Sequence, residues 1–272
     1  MAVPGAMATA TLTLTRQRNF ILGALLALAA GSWGILAWQS YSGPSPSASG
    51  GTASLLTMGM GVPLFMAMWV AMMAAMMFPT AAPMMLMFAR LQSSQRDAGR
   101  PYVPAAFFVG AYLALWGAAG ALAFLSATLI GRLADQSPSL LTNGPRITGG
   151  IIILAGLYQL SPLKAVCLRT CRSPVSFILN HWRDGRRGSV VMGVQHAAYC
   201  LGCCWLLFVL LFPLGIMNLA AMGVITALIF AEKSTPWGMR IASWLGVALV
   251  AFGIVVAVLP SSLPGGTMMI GM

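Results

Sequence analysis

Both histidines and all five cysteines of this 272-residue chain lie between Cys167 and Cys204. Inside that window His196, Cys200, Cys203 and Cys204 stand in the middle of an apolar segment. Thiols and imidazole are ligands for soft and borderline metal ions, so this is the place where such chemistry can be built. On a helical wheel of about 100° per residue, Met192, His196, Cys200 and Cys203 share a narrow face, with Cys204 at its edge. Residues three and four apart are helix neighbours, and a ligand pair at that spacing grips one ion from one side. A single cysteine here would be a small buried apolar residue. Three cysteines and a histidine on about one face favour metal binding over packing.

A second pair, Cys167 and Cys171, lies one helical turn apart in Ser161-Pro-Leu-Lys-Ala-Val-Cys-Leu-Arg-Thr-Cys-Arg-Ser-Pro174. Lys164, Arg169 and Arg172 nearby are expected to favour thiolate over thiol. Further upstream, eleven of the twenty methionines fall between Met58 and Met87. Trp69, Met72, Met73, Met76, Met77 and Pro79 form a double stripe at helical spacing. Methionine fills irregular gaps well, so the stripe reads as a packing helix kinked at Pro79 or Pro83. Its thioethers also suit Cu(I), and Met72, Met76 and Met77 are expected to face the cysteine-bearing helix.

Elements that position these residues must lie in a membrane. A chain that is 59% hydrophobic and 7% charged, with a mean hydropathy of +0.86, cannot hide its apolar surface in a water-soluble core of this size. Stretches near the ~20 residues needed to cross the hydrocarbon layer run from Phe20 to Gln39, Val62 to Ala89, Val103 to Ile130, Ile147 to Leu163, Ser189 to Phe212, Leu214 to Ala231 and Ile241 to Leu259. The expected fold is an all-α polytopic bundle of about seven transmembrane helices. Residues 1–19 make an N-terminal tail, 20–259 a single helical domain and 260–272 a short external tail. The Ser-, Gly- and Pro-rich stretch Ser40 to Thr52 reads as an outside loop. The first span ends in Trp38, Gln39 and Tyr41 and is longer than a signal-peptide core, so it is read as a retained anchor.

Basic residues orient the bundle. With the N-terminus in the cytoplasm, every Lys and Arg except Arg132 and Arg146 falls inside, and the opposite orientation reverses that balance. The net charge of +11 therefore reports topology, and nucleic acid is not an expected partner. Asp97, Asp135, Asp184 and Glu232, the four acidic residues, fall in loops or at a helix end. No span then carries the carboxylate expected of a proton- or sodium-coupled transporter. No phosphate loop of the G-x4-GK[ST] type is present, and one intramembrane histidine excludes bis-histidine haem, leaving a His/Met haem through His196 open. Gly110, Ala114, Gly117, Ala118 and Ala121 in the third span are expected to let a neighbouring helix approach closely.

Three strings carry a resemblance. YQLSPLKAVCLRTCRSP from Tyr158, HAAYCLGCCWLLFVLLFPLGIMN from His196, and W-x2-MM-x2-MM-x-P-x3-P from Trp69 resemble the family of predicted metal-binding integral membrane proteins, sometimes labelled copper chaperones. The family's His-x3-Cys-x2-Cys-Cys-Trp signature falls on His196, Cys200, Cys203, Cys204 and Trp205, and Ala197 stands where glycine is expected. Its Pro-Leu-Lys-x2-Cys-Leu-x2-Cys-Arg signature falls on Pro162 through Arg172. The resemblance implies copper as the bound metal.

The expectation is a non-enzymatic protein of a bacterial inner (plasma) membrane that binds and delivers Cu(I), with zinc as the alternative ion. His196, Cys200, Cys203 and Cys204 are the central ligands, and Cys167, Cys171, Met72, Met76, Met77 and Met192 the secondary ones. Its partners would be the lipid bilayer and a copper enzyme or metallochaperone; nothing in the pattern specifies an oligomer. Two alternatives stay open: a membrane thiol-disulfide oxidoreductase using Cys200 and Cys203, and a passive metal permease lined by the same ligands.

Overall fold

The computed structural model describes residues 4–42, 51–99, 102–216 and 218–259, and every regular element among them is a helix. In chain order these are α1 (Pro4–Ser42), α2 (Gly51–Thr57), α3 (Val62–Asp97), α4 (Ala106–Gln136), α5 (Pro138–Thr142), α6 (Gly144–Gln159), α7 (Pro162–Arg172), α8 (Pro174–His181), α9 (Gly185–Val209), α10 (Leu211–Leu214), α11 (Leu219–Ser234) and α12 (Gly238–Val258). The expected 260–272 tail, and most of the Ser40 to Thr52 loop, lie outside the described residues.

Five stretches are long and apolar enough to cross a membrane: Arg18–Ser42, Gly51–Asp97, Ala106–Gln136, Gly185–Leu214 and Gly238–Val258, with mean hydropathies from 1.9 to 2.5. The expected fourth and sixth spans differ from this pattern. Near the end of the fourth, Ser161 accepts a hydrogen bond from the Lys164 backbone N–H at 3.2 Å, and proline opens the next helix. These are helix-start signals, and α7 leaves α6 at 61°. The sixth is divided at Gly215, whose φ of 93° is open to glycine. A new helix begins where Asn218 caps Ala221 N–H at 3.1 Å. The 16 residues of α11 rise about 24 Å, short of the ~30 Å hydrocarbon layer. The first and second expected spans run longer than their apolar stretches, α1 beginning at Pro4 and α3 continuing through Pro79 and Pro83 to Asp97.

Packing follows the small residues, but not those singled out in the third span. Gly110 and Gly117 have open space where a side chain would go, and Ala114, Ala118 and Ala121 are exposed, so that stripe faces outward on α4. Close approach happens elsewhere. A Cβ on Gly149 would lie 2.8 Å from the Gly253 carbonyl, and one on Gly156 would lie 2.7 Å from that of Gly246. Glycine therefore lets the α6 and α12 backbones touch. α1 packs along α3, where Trp33 donates to the Ala75 carbonyl at 3.2 Å, and α4 packs along α9. Outward positions such as Leu122, Leu125, Leu129, Trp244 and Val247 are apolar, the surface a bilayer covers.

Candidate metal centre

Helix α9 carries its histidine and cysteine face inward. Met192, His196, Cys200, Cys203 and Cys204 are all buried, as the helical wheel requires. They do not all surround one point: His196 and Cys200 share Tyr112 on α4, while Cys203 turns toward α7. His196 enters a cage of Phe108, Tyr112 and Phe177, with ring centroids 5.8, 5.8 and 5.5 Å away. Among the described residues its Nδ1 has no hydrogen-bond partner, which leaves a buried ring nitrogen free to ligate.

Cys200 is the most heavily contacted thiol. Tyr112 Oη on α4 and Lys233 Nζ on α11 each lie 3.1 Å from its Sγ, and Met77 Sδ on α3 lies 3.9 Å away. Cys203 turns toward α7, where its Sγ stands 4.0 Å from that of Cys171. Two sulfurs bonded at about 2.3 Å to one ion would stand roughly 3.8 Å apart at a tetrahedral angle and 4.6 Å apart in line. The Cys171–Cys203 separation falls between those limits. Cys203 and Cys204 both donate back along α9 to the Cys200 carbonyl, at 3.1 and 2.9 Å. Cys167 faces α9 across Gly202, where a Cβ would come within 2.7 Å of its sulfur. Tyr158 donates to the Gly202 carbonyl and holds the same seam.

Two groups that the sequence kept apart, Cys167/Cys171 and the α9 thiols, are thus joined by the bend between α6 and α7. Among the described residues, no three His, Cys, Asp or Glu donors surround a common point as ligands of one ion. What the fold supplies is sulfur pairs from different helices, with the soft thioether of Met77 beside Cys200. Met72 and Met76 are fully buried, and Met72 lines a cavity with Trp69.

The cations differ from expectation. Lys164 is buried and engaged elsewhere, pairing with Glu232 at 2.7 Å and also donating to Gln159. Arg172 donates to the carbonyls of Glu232, Thr235 and Pro236, and Arg169 is exposed. Lys233 takes their place beside Cys200. Glu232, read as a loop or helix-end residue, is only 1% exposed; burial of this carboxylate is compensated by the ammonium and the Gln159 amide at 3.1 Å. Lys233, Tyr112 and Glu232 were not legible as site residues, since each is alone of its kind in its own segment.

Comparison with curated proteins and with solved structures finds no match. A family model described as a copper chaperone, PpoB2, matches residues 66–256, a stretch that opens on the methionine helix α3 and closes within α12. Every thiol contact and the Met77 contact described above fall inside it, and the chain belongs to the PpoB2 copper chaperone family.

Proposed function

We propose that the protein holds Cu(I) among the sulfurs of α9, α7 and α3 and hands it to a copper enzyme or metallochaperone at the membrane. The ion is cargo, bound by Cys203 and Cys171 and exchanged with Cys200, next to Met77. His196 supplies a nitrogen ligand during transfer. Each thiol that takes the ion releases a proton, and Lys233 balances the charge left on sulfur. The 4.0 Å approach of Cys171 to Cys203 carries this reading, because it brings thiols of two helices within reach of one soft ion.

The topology belongs to the same proposal. Seven crossings of a bacterial inner membrane, with the N-terminus in the cytoplasm, put all but two of the basic residues inside. α11 then makes the sixth crossing, and the bent α6–α7 pair the fourth.

Metal analysis of the purified chain under reducing conditions tests the proposal, with the redox state of the cysteines measured in parallel. Stoichiometric Cu(I), lost in Cys203→Ser and Cys171→Ser, is the expected result. A second reading, thiol-disulfide exchange, draws on the same Cys171–Cys203 approach rather than on a Cys200–Cys203 pair. Recovery of a Cys171–Cys203 disulfide with no bound metal would replace the first reading by the second.

A further inference from the structure

We propose that Met60, Met68 and Met72 form a second, thioether-only site for a soft monovalent ion, the point at which Cu(I) enters or leaves the row of methionines on α3. Identifying the ion as Cu(I) rests on the delivery reading above; the donors themselves are separate from the thiols.

The starting observation is a cavity lined by Met60, Phe65, Met68, Trp69, Met72 and Ile216. Met60 lies in the turn before α3, and Ile216 in the turn between α10 and α11, so the cavity sits at that end of the bundle. Three of its six lining residues offer a thioether and none carries a charge. Neutral soft donors cannot offset the charge or replace the hydration of a hard divalent ion, whereas Cu(I) and Ag(I) favour them. The aromatic part of the lining is pinned by its neighbours. Trp69 Nε1 donates to the Trp116 carbonyl at 2.9 Å, and its ring lies against Gly120, where a Cβ would come within 2.5 Å of it. Phe65 stacks on Trp69 at 6.0 Å and meets Phe124 at 5.1 Å. An indole fixed in this way adds a cation-attracting surface.

Continuity is the second observation. Met68, Met72 and Met76 follow at i, i+4 and i+8 on α3, and Met73 and Met77 at i and i+4 beside them, which makes neighbours of successive sulfur side chains. All five are buried, so the row stays inside the protein. It ends where Met77 Sδ meets Cys200 Sγ at 3.9 Å. From Met68 to Met77 the helix rises about 13.5 Å. A weak neutral site at one end and thiols at the other give the ion a direction of descent, from thioether to thiolate, with no change of oxidation state.

Ag(I) titration of the full chain tests the site, using four proteins: wild type, a thiol-free variant with Cys→Ser at positions 167, 171, 200, 203 and 204, and each of these with Met60→Leu and Met68→Leu added. The thiol-free variant is expected to keep one equivalent of Ag(I), at least about tenfold weaker than wild type, with only sulfur neighbours in X-ray absorption. Adding the two leucines should abolish that equivalent. In the wild-type background the leucines should leave the thiol-bound ion in place and slow its loading by about tenfold or more. A thiol-free variant that binds no Ag(I), or one that keeps it after both leucines, overturns the proposal while leaving the delivery reading intact. Thiols that bind nothing in wild type, beside a thiol-free variant that still binds one ion, overturn the delivery reading alone. If the thiol-free variant fails to fold, the count in the wild-type background decides: two equivalents falling to one supports the site, and equal counts overturn it.

Discussion

Lys233 Nζ lies 3.1 Å from Cys200 Sγ, and it does so from the residue next to Glu232, whose carboxylate points the other way to Lys164. Adjacent charges on α11 thus serve two different helices: one closes a buried ion pair with the α6–α7 bend, and the other faces the thiols of α9. A cation and a phenol in contact with one buried thiol suit a sulfur that carries negative charge.

Replacing Lys233 by Leu should therefore weaken Cu(I) binding by about tenfold or more, since the complex of Cu(I) with two thiolates is anionic and loses its counter-charge. Lys233→Arg keeps the charge and should recover most of the affinity. Competition against a chromophoric Cu(I) chelator measures both. Equal affinity in Lys233→Leu and wild type would show that the ammonium has no part in binding.

Cys171 and Cys203 act as a unit if they share an ion. Cys171→Ser and Cys203→Ser should each lose Cu(I) binding, and the double substitution should cost little more than either single one, the non-additivity of coupled residues. Cys204→Ser should change affinity least among the thiols: Cys203 and Cys204 both donate to the Cys200 carbonyl, but it is Cys203 that also stands 4.0 Å from Cys171 on α7. His196→Ala should weaken binding without abolishing it. Additive losses at Cys171 and Cys203 would argue that they hold different ions.

Much of this arrangement was legible in the sequence, for a physical reason. Apolar runs mark helices, and the period of α9 alone dictates that Met192, His196, Cys200 and Cys203 share a face. The partners of that face were not legible. Cys171 reaches Cys203 only because Ser161 and Pro162 start a new helix at 61° to the last, and a bend angle is not written in local composition. Lys233 and Tyr112 approach Cys200 from helices distant in sequence, where a lone cation near a helix end reads as a topology signal. The outward small residues of α4 and the glycine seam of α6 with α12 look alike in one dimension; only packing tells them apart.

The buried Lys164–Glu232 pair should matter to folding more than to metal. Glu232→Gln leaves an ammonium at 1% side-chain exposure without its carboxylate, and breaking one side of a buried pair costs about 3–5 kcal/mol. Thermal unfolding in detergent should show the loss, and the paired change Lys164→Met with Glu232→Leu should recover most of it. Full stability in the single variant would mean that Gln159 and the Arg172 contacts suffice at this corner.

Topology is decided by α11. Between Arg183 and Met272 the seven-span reading has three crossings, α9–α10, α11 and α12, so reporters fused at those two positions should report opposite sides. Because α11 alone rises only about 24 Å, the alternative is that it dips into the bilayer and returns, leaving two crossings. Reporters on the same side would establish that re-entrant arrangement and reduce the count to six.

Acidity should separate the thiol and thioether sites. A thiol must lose its proton to bind Cu(I), so protons compete with the metal there, whereas a thioether has no proton to lose. As pH falls, affinity at Cys171, Cys203 and Cys200 should therefore drop, by up to about tenfold per pH unit for each proton released. The equivalent held by Met60, Met68 and Met72 should stay level over the same range. Equilibrium dialysis of Ag(I) against wild type and the thiol-free variant at several pH values reads both slopes. A steep slope in the thiol-free variant would mean that a titrating group, with His196 the first candidate, holds the ion in place of the methionines.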